Sequence, residues 1–157
     1  MRILSIDPGY ERLGVAIIER TNNKDVLLYS ICKKTSATKE FQDRLSELGS
    51  FIDKLILDYS PEILAIEKLY FQNNQKTAMY VSQVIGVTIF LAKKNNMPVY
   101  EYTPLQIKSA ITGNGRADKK QIITMLKHLI QIDKEIKYDD EFDAIAIGLT
   151  HTAYNAS

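Results

Sequence analysis

Two short apolar runs constrain this chain most, because each ends on an acid: Arg-Ile-Leu-Ser-Ile-Asp at residues 2–7 and Glu-Ile-Leu-Ala-Ile-Glu at 62–67. Both read as buried strands. After the first, Pro8 and Gly9 force a turn. Residues 13–19 and 26–31 read as two further strands, with Asn22 and Asn23 turning the chain between them. Strands joined this closely pair as antiparallel neighbours. The period then changes. Phe41, Leu45, Leu48, Ile52, Leu55 and Ile56 recur every three or four residues, which predicts a helix ended at Ser60-Pro61. A helix between strands is a crossover, so the run ending at Glu67 should pair in parallel.

The rest of the chain continues the alternation. The spacing predicts a long helix from about Gln75 to Asn95, a short strand at 98–102 and a short helix from Pro104 to Ala110. Residues 112–116 form a Gly-rich loop. Asp118 and Gln121 make a capping pair for a helix reaching about Ile130, and a last helix spans roughly Asp140 to Tyr154. No internal repeat, low-complexity tract or domain boundary interrupts the pattern. The expectation is one α/β domain over residues 1–157, a length that suits a single core. Its sheet should be mixed and five-stranded, three antiparallel strands followed by helix-linked parallel ones, flanked by helices.

Asp7 and Glu67 then fall at the carboxyl ends of two central strands, the edge where open α/β sheets bind ligands. Asp140 and Asp143 are three apart on a helix, hence on one face. The small and apolar residues that follow, 144–148, let that helix pack closely on the sheet and aim its first turn at the strand ends. Oxygen-rich clusters of this kind suit magnesium or manganese. Two such ions can stabilise the attacking and leaving oxygens of a phosphodiester. Each acid alone also has a structural reading. Asp7 before Pro-Gly can be a turn former, Asp140 a helix N-cap, and Asp143 a partner of the helix dipole. Asp139 and Glu141 are expected to be solvated. Glu67 is harder to dismiss, since a buried Glu is rare unless paired.

Composition narrows the setting. The single cysteine, Cys32, excludes an internal disulfide and suggests no Cys-based zinc site. No apolar run reaches the roughly 20 residues that span a bilayer. Asp7, Pro8 and Gly9 break the N-terminal apolar stretch, unlike a signal peptide. A cytoplasmic protein with no membrane partner is expected. A net charge of +1 is unusual for a nucleic-acid binder. With two divalent cations on the acids, however, the formal charge becomes about +5.

Several motifs in sequence resemble the RuvC family of Holliday junction resolvases over nearly the full length. They are Ile-Asp-Pro-Gly-Tyr at 6–10 with Gly-Val-Ala at 14–16, Ala-Ile-Glu-Lys-Leu-Tyr at 65–70, and Tyr-Thr-Pro-Leu-Gln-Ile-Lys at 102–108. Thr-Gly-Asn-Gly-Arg-Ala-Asp-Lys at 112–119 and Asp-Glu-Phe-Asp-Ala-Ile-Ala at 140–146 complete the set. The resemblance implies an RNase H-like fold and a homodimer. It implies a Mg²⁺-dependent endodeoxyribonuclease, with two ions per site and Mn²⁺ able to substitute. Such an enzyme makes paired, symmetric nicks across a four-way DNA junction, leaving 5′-phosphate and 3′-hydroxyl ends. The family's metal ligands fall on Asp7, Glu67, Asp140 and Asp143, and its functional lysines on Lys108 and Lys119. A branch-migration helicase complex of the RuvA and RuvB type is the implied partner. One position departs: where the family tends to carry Phe three residues after the strand-end Glu, this chain has Tyr70, with Phe71 next. Either ring can stack on a junction base, because stacking is tolerant of base identity.

Lys108, Arg116, Lys119 and Lys120 surround the 113–115 loop and can contact phosphate. Lys119 can also stabilise charge developing on the phosphate, whereas Lys120 reads as a solvated helix start. His128 and His151 do not read as ligands. The long helix carries apolar residues round more of its circumference than one core face requires, Met79, Tyr80, Ile85, Phe90 and Leu91 among them, which suits a dimer interface. Three alternatives remain: an RNase H-like nuclease acting on RNA or other branched DNA, a non-catalytic junction binder, and a sugar-kinase- or actin-like ATPase. All four acids are present, against the second. The chain is too short for the paired domains of the third.

Overall fold

The computed structural model describes residues 1–69 and 75–155. Its elements follow the order β1 (Arg2–Asp7), β2 (Arg12–Thr21), β3 (Lys24–Lys34), α1 (Phe41–Tyr59), β4 (Ile63–Glu67), α2 (Gln75–Lys94), β5 (Val99–Tyr102), α3 (Pro104–Thr112), α4 (Lys119–Leu129) and α5 (Asp139–Tyr154). One sheet runs β3-β2-β1-β4-β5. β1 pairs antiparallel to β2 and parallel to β4; β2–β3 is antiparallel and β4–β5 parallel. The mixed sheet expected from the spacing is therefore present.

Local chemistry sets the boundaries. α1 runs to Tyr59, and Ser60 turns left-handed (φ 47°) before Pro61, donating its N–H to the Ile56 carbonyl. Asp118 and Gln121 form a reciprocal capping box at the start of α4, and Thr103 and Gln106 form a second one at α3, with Pro104 at the first helical position.

Strand alternation divides the core into two layers. Leu4, Ile6, Val15, Ile17, Leu64 and Ile66 face α1 and α2. Ile3, Ala16, Ile18, Ile63 and Ala65 face α3, α4 and α5. By the same period of two, Asp7, Gly14 and Glu67 project on the α5 side. The small-residue face of α5 closes onto the sheet here: a Cβ on Gly148 would lie 2.6 Å from Ile18 Cδ1 and 2.8 Å from Ser5 Oγ.

The sequence expectation fails at one acid. Glu141 is not solvated; it is 6% exposed. Its carboxylate accepts from Ser30 Oγ (2.6 Å) on β3 and pairs with Lys134 (2.6 Å). The helical periodicity of 139–143 gave no sign of this, because the partners come from β3 and from the 130–138 connection. Lys134 also donates to the Ser30 carbonyl. Replacing Lys134 by Met should therefore cost about 1–3 kcal/mol, the range for stranding a buried polar group. Urea denaturation reads this directly, and an unchanged midpoint would refute it.

Among the described residues, no helix is long and apolar enough to cross a membrane.

Candidate active site

The parallel register pairs Ile6 with Ile66, so Asp7 and Glu67 lie side by side where β1 and β4 end. Their carboxyl groups share a hydrogen bond. Burial first, then the negative charge of Glu67, Asp143 and Asp140, holds Asp7 well above the usual carboxylate range. Burial also raises Glu67, while the hydrogen bond from Asp7 pulls it partly back. Asp7 is thus the partner that keeps the proton.

Asp140 and Asp143 arrive on the first turns of α5. Tyr138, not Asp140, is the N-cap residue of that helix. Gly14 decides how close Asp140 comes. It sits opposite Asp7 in the β1–β2 register. A Cβ there would lie 1.9 Å from the Asp140 carbonyl oxygen and 3.1 Å from Asp7 Cβ. Only a glycine lets backbone approach this near. Asp143 is raised by burial, partly offset by Lys119.

Two cations hold the acids apart. Lys119 Nζ donates to Asp143 Oδ2 at 2.9 Å and lies 3.3 Å from Asp139 Oδ2. Burial works against its charge, but these two carboxylates keep it above its ordinary value. Arg12 Nε lies 3.5 Å from Asp140 Oδ2. Cys32 Sγ contacts the same oxygen at 3.9 Å. Burial, then Asp140, pushes the Cys32 thiol up to about 11, so it is neutral at pH 7 and a poor soft-metal ligand.

Among the described residues, no three Asp, Glu, His or Cys side chains form a closed ligand group. Lys119 and Arg12 contact Asp143 and Asp140, and Asp7 and Glu67 are hydrogen-bonded to each other. The donor set nonetheless fits a hard divalent cation. It offers carboxylate oxygens only, half-buried among like charges, and a cation would relieve their repulsion.

Of the other sequence candidates, Lys108 lines a cavity of about 140 Å³ with Glu67, Asp143, Ile107, Ile122, Ala146 and others. Arg116 is exposed in the loop before α4. Tyr70 and Phe71 lie outside the described residues. His128 is exposed on α4. His151 is buried, its ring hydrogen-bonded to the Tyr102 hydroxyl at 2.8 Å and packed on Tyr100. Sequence reasoning missed Arg12, Cys32 and Tyr138. The glycine inside an otherwise apolar strand was the one available signal for the close approach at Gly14.

This sheet order, with acids ending its two central strands and a helix crossing them, defines an RNase H-like protein with a carboxylate centre. The comparisons go further. The model of crossover junction endodeoxyribonuclease RuvC matches residues 3–151. The chain belongs to that family. It is 42% identical over 151 residues to the RuvC of Alkaliphilus metalliredigens, covering 96% of this chain and 92% of that protein. It is 40% identical to the RuvC of Caldanaerobacter subterraneus, covering 99% and 94%. Among solved structures, T. thermophilus RuvC in complex with a Holliday junction substrate superposes with a TM-score of 0.91 at 28% identity, covering 98% and 94%.

Proposed function

We propose that residues 1–157 form one Mg²⁺-dependent endodeoxyribonuclease domain that resolves four-way DNA junctions by paired symmetric nicks. The carrying observation is the convergence of Asp7, Glu67, Asp140 and Asp143 at one sheet edge in a chain of this family. These four carboxylates would hold two divalent cations, Mg²⁺ or Mn²⁺, which polarise the phosphodiester and stabilise the attacking and leaving oxygens.

The chain's own groups position the substrate. Lys119, beside Asp143, neutralises charge that builds on the phosphate. Lys108, which lines one cavity with Glu67, and Arg116 bind flanking phosphates. Tyr70 or Phe71 stacks on a junction base. The hydrolysis leaves 5′-phosphate and 3′-hydroxyl ends.

A homodimer supplies the second nick. Met79 and Phe90 on α2 are 63% and 65% exposed, and nothing lies within 4 Å of a Cβ at Gly86 between them. These three residues share one helix face, and two exposed apolar side chains about an open glycine suit contact with a second copy. In this reading the protein acts in the cytoplasm with a branch-migration helicase complex of the RuvA and RuvB type.

Incubation of the full chain with a synthetic four-way junction, linear duplex and RNA–DNA hybrid tests the reading. With Mg²⁺, only the junction should be nicked, symmetrically, and EDTA should stop the reaction. Efficient hybrid cutting without junction cutting would replace this function with an RNA-directed one. Junction binding without any cutting would replace it with a silent binder.

A further inference from the structure

The acidic centre has cations on two flanks. Lys108, Arg116 and Lys119 stand on the α3–α4 side. On the β2–β3 side, Arg12 and Lys34 are register partners at the end of the sheet. Both meet the ring of Tyr138, the residue that opens α5 two positions before Asp140. Lys34 Nζ lies 5.0 Å from the ring centroid and 3.2 Å from the Tyr138 hydroxyl. Arg12 Cζ lies 5.7 Å from the same centroid.

Neither cation has a strong anionic partner. Several neighbouring cations are tied up: Lys33 and Lys39 by Glu47, each at 2.8 Å, Lys134 by Glu141, and Lys119 by Asp143 and Asp139. Among the described residues Lys34 makes no ion pair. Arg12 has only the long contact to Asp140, and its side chain is 51% exposed. An aromatic ring holds a cation in place without neutralising it. The arrangement therefore orients two positive charges beside the acids and leaves them able to take an anion.

We propose that Arg12 and Lys34, braced on Tyr138, form a phosphate-binding ledge. It holds the DNA strand on the β2–β3 side of the carboxylates, opposite Lys108 and Lys119. The proposal rests on the junction-nuclease reading and adds residues to it. A nucleic-acid strand presents a charge about every 3.4 Å of axis, so phosphates flanking the reacting one can meet both flanks together. Arg12 contacts Asp140 in the free protein and transfers to a backbone phosphate when DNA arrives. Arg is suited to this exchange because its planar fork bonds carboxylate and phosphate alike.

Counterion release supplies the test. Junction binding is measured across a salt series with the full chain carrying Asp7→Asn, so that the DNA stays intact. Adding Arg12→Gln or Lys34→Gln should weaken binding about five- to tenfold near 0.1 M salt. Each should lower the slope of log K against log salt by about one. Arg12→Lys should restore the slope. In the otherwise wild-type chain, Lys34→Gln, which touches none of the four acids, should change nicking at saturating junction far less than affinity. A slope unchanged in both Gln variants overturns the ledge, as does a loss of nicking at saturation with affinity intact, which would make Arg12 a support for Asp140. If the chain carrying Asp7→Asn alone binds no junction, the functional reading itself fails and the ledge falls with it.

Discussion

Replacing Asp7 by Asn should abolish junction nicking and, in metal-free protein at neutral pH, raise the melting temperature. The two effects have one cause. Asp7 is half-buried at the end of β1, hydrogen-bonded to Glu67, and close to the charges of Asp140 and Asp143. As one of the proposed cation ligands it would stand beside the reacting phosphate, where negative charge builds in the transition state. Loss of several kcal/mol there corresponds to about a thousandfold or more in rate. The stability effect has the opposite sign. Below the ordinary Asp value of about 3.9, folded and unfolded chains both carry the proton. As pH rises, the unfolded chain releases it first, because burial and repulsion raise the folded value. The site's contribution to stability is thus present at low pH and is lost as pH rises through the raised folded value of Asp7, with Glu67 and Asp143 shifted in the same direction. An amide at residue 7 keeps the shape, has no proton to lose as pH rises, and accompanies the Glu67 carboxylate without repulsion. Calorimetry in EDTA at pH 5 and pH 7.5 should show the wild type losing more between the two than Asp7→Asn does. A variant that melts lower than wild type at both would make Asp7 a structural turn residue.

The second large effect is expected at a residue with no chemistry of its own. Gly14→Ala should lower nicking by about a hundredfold while leaving a folded protein. The new methyl would sit 1.9 Å from the Asp140 carbonyl oxygen and 2.6 Å from its carbonyl carbon. Both are backbone atoms, so no side chain can swing away. Either β2 or the start of α5 must move by about 1 Å, and a misplacement of that size can cost about 10²-fold in rate. The stability penalty should be about 1–3 kcal/mol, as for other overpacked sites. Junction affinity measured in EDTA should hold. Full activity in Gly14→Ala would mean that the strand-to-helix approach is not what places Asp140.

Much of this was open to inspection in the residues. The elements and their order follow from spacing: β1 begins and ends as expected, α1 stops at Pro61, and Asp118 and Gln121 cap α4 together. These features depend on neighbours within a few positions, where turn, cap and periodicity rules act. The four acids were visible too, although each had a structural alternative. For Asp140 that alternative is gone, because Tyr138 takes the N-cap position. Glu141 was misjudged, since its partners Ser30 and Lys134 come from other elements.

By itself, then, the sequence determined where the acids end their strands and that Asp140 and Asp143 share a helix face, because both are matters of local period. Only the tertiary structure decided what those acids meet. Strand register turned Asp7, Glu67 and Gly14 toward α5 rather than α1, and a slip of one residue would have reversed all three. The contact of Arg12 with Asp140, the hold of Lys119 on Asp143, and the pairing of Ser30 with Glu141 across 111 residues are likewise tertiary. Proton sharing at Asp7 belongs with them, since a carboxyl group's affinity for its proton is set by the charges and burial around it, not by its neighbours in the chain.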